Sequence, residues 1–316
     1  MIPFLVQVAG VVLAAGLCVS MTWPLVVRLS SGLSAVRLAD SLVVAGVLPM
    51  LVAVGLAVAL VVPTALDLSG VHPDHCHAHD HGLHLCGVHG DVHSPLMALG
   101  VVLLTIASVR GVALGTRLWR ASSDIATLGS MGTRRGALVE VPGEVALCHA
   151  TGVIRPRVLL SAGLRVRLGV PAIDAALAHE YAHLRRRDPA VLVLLQFASI
   201  FGLPTLGLTT AFRAAADEAA DAEAAAEVGA ITVAEALVRL ARIVNERSAP
   251  PSPVALAFGA HPLERRVELL LGGPLSPEKA RGLSLSVAVA IAVLLLGAIG
   301  AEPIHHLVED LLLSRH

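Results

Sequence analysis

Hydrophobic residues form four long runs with few charged residues, and most polar residues lie in the segments between them. The runs cover residues 2–22, 41–63, 95–115 and 283–300. Each is close to the roughly 20 apolar residues that an α-helix needs to cross a bilayer. The pattern therefore predicts an integral membrane protein with about four transmembrane helices. No Lys or Arg precedes Arg28, so the first run is predicted to be a retained span and not a cleaved signal peptide.

Between the third and fourth runs, the apolar stretches become shorter and alternate with polar residues. Short stretches rich in Val and Leu predict strands, and longer stretches with apolar residues three or four apart predict helices. The region is long enough for one α+β domain. The predicted strands are 137–141, 145–148 and 157–161, and the predicted helices are 161–168, 171–187, 211–229 and 232–247.

Two segments of this region are open to more than one interpretation. Residues 190–208 are apolar but are interrupted by Gly202, Pro204 and Gly207, so they fit a half-span, an interfacial hairpin or a buried helix. The strand at 157–161 fits either an exposed edge that holds substrate by strand addition or a purely structural strand.

Composition and charge agree with a membrane protein and give it an orientation. The chain is 55% hydrophobic and 15% charged, whereas soluble domains have about 25% charged residues. Its net charge of −1 gives no reason to expect direct nucleic-acid binding. The first loop contains Arg28 and Arg37, loop 64–94 contains no Lys or Arg, and residues 116–135 contain four Arg. Basic loops face the cytoplasm, so loop 64–94 is predicted to be extracytoplasmic.

The predicted organisation follows from these spans and their orientation. Residues 1–115 form the N-terminal membrane region with its outer loop, and residues 116–282 form a cytoplasmic domain. Residues 283–300 form the last span, and residues 301–316 form a short outer tail.

The cytoplasmic domain contains the sequence His179-Glu180-Tyr181-Ala182-His183. Residues four apart share a helix face, so both imidazoles can bind one zinc ion while Glu180 acts as general base on a bound water. A chance match is expected roughly 0.03 times in a chain of this composition. The alternative is a solvated charged helix that contains the motif by accident. Alanines around the histidines and a following Arg-Arg-Arg-Asp-Pro sequence favour a helix that holds zinc.

A third protein ligand is needed because catalytic zinc keeps three protein ligands and one open position. The acidic helix around residues 214–229 is the predicted source. Asp217 and Asp221 share one face of it, and Glu218 is adjacent to Asp217. An ordinary acidic surface helix is the alternative interpretation of these residues.

The motifs together resemble those of the M56 membrane metallopeptidases, and more distantly those of the HtpX/Ste24-like M48 group. The stretches that carry the resemblance are "GVIRPRVLLSAGL" (152–164), "ALAHEYAHLRRRD" (176–188), "DEAAD" (217–221) and "HPLERRVELLL" (261–271). The M56 family includes the beta-lactam sensor-transducers of the BlaR/MecR type. The resemblance implies a mainly α membrane protein with a cytoplasmic zincin-like α+β metallopeptidase domain, in the bacterial inner membrane.

The resemblance also implies roles for residues of the acidic helix. In the family, a glutamate ligand precedes an aspartate by four residues, but Asp217 stands at that place here. The third ligand is therefore either Asp217 or Glu218, and Asp221 is expected to orient a ligand histidine. A transcriptional repressor is the protein substrate that the resemblance implies. The tail after residue 300 is too short for a penicillin-binding sensor domain, so sensing through such a domain is not expected.

The outer loop is rich in histidine and contains two cysteines. Such tracts bind transition metals through neutral imidazoles. The cysteines fit either a disulfide or reduced ligands for zinc or copper(I), and a disordered linker is the alternative. The loop is predicted to sense or buffer a second transition metal and to signal to the peptidase. The candidate ligands are His72, His75, Cys76, His77, His79, His81, His84, Cys86, His89 and His93.

The sequence thus predicts a membrane-anchored zinc metallopeptidase with Glu180 as the catalytic base. The bilayer and a cytoplasmic protein substrate are its predicted partners. The alternative function is a non-catalytic metal-binding sensor or metal-handling protein that keeps a degenerate peptidase frame.

Overall fold

The computed structural model shows a mostly helical protein with one small mixed sheet. Four helices form the N-terminal region: α1 (Ile2–Ser20), α2 (Trp23–Leu29), α3 (Ala35–Leu68) and α4 (Ser94–Met131). The structure describes residues 2–30, 32–68, 94–202, 206–245, 263–272, 281–301, 303–304 and 307–308. The candidate loop ligands His72 to His93 lie outside these described residues.

Among the described residues, three helical segments are long and apolar enough to cross a membrane: Ile2–Leu29, Ala35–Pro63 and Pro95–Met131. They contain the first three predicted spans, and each extends beyond the predicted bounds. The fourth predicted span lies in a helix at Gly282–Ile299, whose apolar stretch Ser284–Ile299 is shorter than the other three. The structure therefore supports three candidate spans, and a fourth stays a prediction.

Glycine residues allow the membrane helices to approach each other closely. A Cβ atom added at Gly10 of α1 would lie 2.9 Å from the Cα atom of Gly100 in α4. Without a hydrophobic driving force between helices in lipid, such close backbone packing is a main source of association. The contact between α1 and α4 therefore depends on both positions remaining glycine.

The variant Gly10→Ile is expected to destabilise the protein by about 1–3 kcal/mol, since an added side chain must push α1 and α4 apart. Thermal unfolding in detergent measures the loss. Gly115→Ile in α4 is the matched control, because no atom lies within 4 Å of a Cβ added there. Equal midpoints for the two variants would contradict the packing argument.

The sheet lies in the middle of the chain and has the strand order β1-β2-β4-β3. β2 and β4 are parallel, and the outer pairs β1–β2 and β3–β4 are antiparallel. One face packs on the following helices, and the other contacts Ile125 and Leu128 of α4. The strands are β1 (Thr133–Arg135), β2 (Leu138–Val141), β3 (Cys148–Thr151) and β4 (Arg157–Ser161).

The structure corrects one prediction about the strands and decides between two interpretations of another. The second predicted strand, 145–148, is displaced, since β3 begins at Cys148, where antiparallel pairing with β4 starts. Leu147 is held instead by the Ser161 side chain, whose Oγ accepts its backbone N–H. Strand 157–161 is not an edge, because β4 lies between β2 and β3. The edge strands are β1 and β3.

Helices complete the domain and pack on the sheet face formed by Leu138, Cys148, Val158 and Leu160. The third predicted helix, 211–229, begins five residues earlier than expected. The helices are α5 (Ala162–Leu168), α6 (Val170–Arg186), α7 (Asp188–Ala198), a 3-10 turn (Ser199–Phe201), α8 (Leu206–Val228), α9 (Ala230–Asn245), α10 (Leu263–Leu271) and α11 (Gly282–Ile299).

Within the segment 190–208, which the sequence leaves open, the described residues 190–201 and 206–208 are helical and pack against the candidate spans. Val191 and Leu195 of α7 and Leu208 of α8 are buried with residues of α3. At the far end of α7, the backbone of Phe201 contacts Gly16 of α1. Of the three interpretations, a helix buried against other helices describes the observed contacts.

Candidate metal centre

Helix α6 carries His179 and His183, the two histidines of the His-Glu-Tyr-Ala-His sequence, on one face. It begins after Gly169, with Pro171 in its first turn, and ends at Arg187, which adopts a left-handed conformation (φ 59°). Its alanines at 172, 175, 178 and 182 are buried and bring the helix close to its neighbours. The Nε2 atoms of His179 and His183 face each other at 3.1 Å.

Helix α8 brings Asp217 to the same place. Its Oδ1 atom lies 3.4 Å from Nε2 of His183. One donor atom each from His179, His183 and Asp217 lie within 4.8 Å of one another. The neighbouring Glu218 instead places its Oε1 atom 2.8 Å from Nε of Arg265 in α10.

The ring nitrogens that face away from this cluster each lie next to a further aspartate, and the one in His183 is hydrogen-bonded to it. Nδ1 of His179 lies 2.8 Å from Oδ1 of Asp221, and Nδ1 of His183 lies 2.7 Å from Oδ2 of Asp188. A carboxylate that accepts the Nδ1 proton leaves the lone pair of Nε2 available for a metal. Both histidines are therefore oriented towards the shared cluster.

Asp221 is itself held by a buried arginine. Arg266 of α10 donates to both of its carboxylate oxygens, at 2.6 and 2.7 Å. Both side chains are almost fully buried. This two-point contact fixes the carboxylate plane and, through it, the ring of His179.

Glu180 is also on α6, and its side chain contacts the sheet. Its side chain is 3% exposed, and Oε2 accepts the backbone N–H of Ala150 in β3 at 2.6 Å. Because β3 is an edge strand, Glu180 lies at the edge of the sheet, next to the metal-binding cluster.

The donor set fits a divalent metal ion in both distance and charge. Two ligands at 2.0–2.1 Å from a tetrahedral zinc ion lie roughly 3.3 Å apart, close to the observed 3.1 and 3.4 Å. With both histidines neutral, as metal ligands are, the four carboxylates of Glu180, Asp188, Asp217 and Asp221 face the guanidinium groups of Arg186 and Arg266, which leaves two formal negative charges. A divalent cation would balance this excess.

The electrostatics of the side chains agree with a site for a cation. Burial alone would lower the pKa of His183, but hydrogen bonds to Asp188 and Asp217 raise it to about 10. Burial would raise the pKa of Asp221, but the bonds from Arg266 and the neighbouring His179 lower it to about 2. The carboxylates that stabilise positive charge on His183 also favour a metal ion between the Nε2 atoms.

Five of the six residues predicted for the cytoplasmic site lie in one cluster, and sequence reasoning missed two contacts of that cluster. His179, Glu180, His183, Asp217 and Asp221 lie together, whereas the carboxylate of Glu218 points to Arg265. The sequence contains only weak indications of the roles of Asp188 and Arg266. The first stands directly after the three arginines that end α6, and the second lies in the "HPLERRVELLL" stretch.

Of three comparisons with known proteins, one found a match. The family model described as BlaR1 peptidase M56 matches residues 97–270, more than half of the 316-residue chain. No match was found among the curated proteins or among the solved structures.

Proposed function

The chain belongs to the M56 family of peptidases, and on this premise we propose that it is a membrane-anchored zinc metallopeptidase that cleaves a protein on the cytoplasmic side. The single observation that carries the proposal is the cluster of His179, His183 and Asp217 with Glu180 beside it. These three residues would hold the zinc ion through Nε2, Nε2 and a carboxylate oxygen. When bound, the ion supplies Lewis acidity for the hydrolysis of a peptide bond.

In this proposal Glu180 is the general base. The backbone N–H of Ala150 donates a hydrogen bond to Oε2, which fixes the orientation of the carboxylate. The other oxygen, Oε1, is then the atom that accepts a proton. Asp188 accepts the Nδ1 proton of His183, and the carboxylate of Asp221 lies 2.8 Å from Nδ1 of His179, which favours Nε2 of both rings as ligands. The proximity of edge strand β3 to Glu180 suits an extended peptide that pairs with the sheet.

The finer parts of the proposal rest on the resemblance and on the charge pattern of the chain. Arginines in the loop after the first span and in the segment after the third span favour a cytoplasmic peptidase domain. A transcriptional repressor is the proposed substrate, and the histidine-rich loop at 64–94 is the proposed metal-responsive element. A non-catalytic metal-binding sensor is the competing function, favoured by the aspartate at the third-ligand position.

The test compares new protein N-termini in cells that express either the wild type or His183→Ala. A peptidase should generate a set of cleavage sites in cytoplasmic proteins that is absent with the variant. Purified wild type should also contain one more zinc ion per chain than His183→Ala, since the loop histidines are present in both. Zinc without any wild-type-specific cleavage site would favour the sensor over the peptidase.

The third ligand is tested with two adjacent variants. Asp217→Ala should reduce zinc affinity at this site by at least 10-fold, because it removes a carboxylate that lies 3.4 Å from His183 Nε2. Glu218→Ala is the matched control and should leave the affinity within about twofold, since its partner is Arg265. Zinc titration with a competing chelator measures both. The reverse order of effects would assign Glu218 as the ligand.

A further inference from the structure

The contact between His183 and Asp188 joins the metal-binding cluster to the next helix. Asp188 is the first residue of α7 and is 4% exposed. Its Oδ2 atom lies 2.7 Å from Nδ1 of His183 and 3.3 Å from Nε of Arg186. The orientation of the His183 ring therefore depends on where α7 begins.

The other end of the same segment is attached to a membrane helix. The guanidinium group of Arg110, in α4, donates to the backbone carbonyls of Ser199 and Gly202. The Gly202 carbonyl follows the 3-10 turn after α7, and the Ser199 carbonyl also accepts the backbone N–H of Gly202 at 3.4 Å. Arg110 lies within the candidate span Pro95–Met131, where a charged side chain needs such partners.

Between these two ends the segment is helical and closely packed. Leu195 and Ala198 of α7 are buried against α3, and a Cβ at Gly202 would lie 2.8 Å from Cβ of Ser20 in α1. The junction with α6 is Arg187, whose positive φ is rare for a residue with a side chain. The segment is thus joined to α6 through a left-handed residue at one end and to α4 through the Arg110 side chain at the other.

We propose that the segment Asp188–Gly202 couples the membrane helix α4 to the metal ligand His183, with Asp188 and Arg110 as positioning residues. A displacement of α4 moves Ser199 and Gly202, the shift passes along α7, and Asp188 then changes the orientation of the imidazole. The inference rests on the proposed metal site but adds a route by which events in the membrane change metal binding and activity.

The first measurement is Co²⁺ binding to the full-length protein in detergent. Co²⁺ replaces zinc as the probe because its visible absorption reports coordination geometry. The spectrum of His183→Ala is subtracted to remove Co²⁺ held by the histidine-rich loop. Asp188→Ala should raise the Kd for Co²⁺ by roughly 10- to 100-fold, as expected for loss of a group that orients a ligand. Asp188→Asn retains an acceptor for Nδ1 and should have a smaller effect.

The second measurement tests the attachment to α4. Arg110→Met should speed hydrogen exchange of the amides in 188–202 in metal-free protein, and should change the Co²⁺ spectrum and Kd in the direction of Asp188→Ala. Arg110→Lys retains a donor and should restore part of both effects. Arg117→Met, seven residues further along the same helix, is the control and should resemble the wild type.

The outcomes separate the inference from the function on which it rests. If wild type shows no Co²⁺ spectrum beyond that of His183→Ala, the proposed metal site fails and the inference fails with it. If wild type binds but Arg110→Met speeds exchange without changing Kd or spectrum, the coupling is wrong and the metal site stands. Unchanged exchange in Arg110→Met would show that Arg110 does not hold the segment.

Discussion

Replacing Glu180 with glutamine is expected to lower the rate of peptide cleavage by roughly 10²- to 10⁴-fold, the usual contribution of a general base. Glutamine has the same shape, and its amide oxygen can still accept the N–H of Ala150, which lies 2.6 Å from Oε2 in the wild type. The histidines and Asp217 are unchanged, so zinc content should stay at the wild-type value. The loss should appear in kcat, measured on a cleavage site identified in the wild type.

The control for this variant is Glu235→Gln, the same substitution at an exposed position of α9. It should retain full activity. Loss of zinc together with activity in Glu180→Gln would show that Glu180 supports the site instead of acting on a proton. Full activity without Glu180 would remove it from the mechanism and leave the peptidase proposal without a base.

The second large effect is expected from Arg266→Met, which should lower the free energy of unfolding by about 3–5 kcal/mol. The substitution leaves the carboxylate of Asp221 buried at 3% exposure without the two hydrogen bonds from Arg266. Removing one partner of a buried ion pair costs about this much because the remaining charge has no compensation. Thermal unfolding in detergent measures the change.

Arg265→Met gives a matched control one residue away. Arg265 pairs with Glu218, but its side chain is 61% exposed, so the loss should be below about 1 kcal/mol. The double variant Arg266→Met/Asp221→Leu should recover much of the stability while metal affinity stays low, because the ring of His179 loses its partner. Equal losses for Arg265→Met and Arg266→Met would contradict the role given to burial.

The effect of Arg266→Met also has a defined pH dependence. The pKa of Asp221 is lowered to about 2 in the folded protein, compared with about 3.9 in an unfolded chain. A group whose folded pKa is depressed contributes stability above its unfolded pKa and loses it as the pH falls through the folded value. The difference between wild type and Arg266→Met should therefore shrink as the pH is lowered from about 4 towards 2.

Features with a local cause could be predicted from the sequence. The apolar runs determine the candidate spans, and the spacing of His179 and His183 places both rings on one helix face. The end of α6 also follows from its local residues, three arginines and a proline two residues after Arg187. In each case the determining contacts lie within a few residues along the chain, so a pattern in the sequence records them.

Features with a distant cause could not be predicted in the same way. Arg266 contacts Asp221 across 45 residues, and the N–H of Ala150 contacts Glu180 across 30. The start of β3 is set by its pairing with β4 and not by the hydrophobicity of residues 145–147. From the sequence alone, Asp217 and Glu218 of α8 are equally good candidates for the third metal ligand. The distinction comes from α10, which places Arg265 next to Glu218.

Helix α4 sets a fixed angular relation between the end of α7 that Arg110 contacts and the sheet. It runs without interruption from Ser94 to Met131, with Arg110 attached to α7 at one level and Ile125 and Leu128 packed on the sheet at another. One residue inserted between these levels would turn the sheet by about 100° and shift it by about 1.5 Å relative to Arg110. The number of residues between positions 110 and 125 must therefore stay fixed if Arg110 and Ile125 are both to keep their contacts.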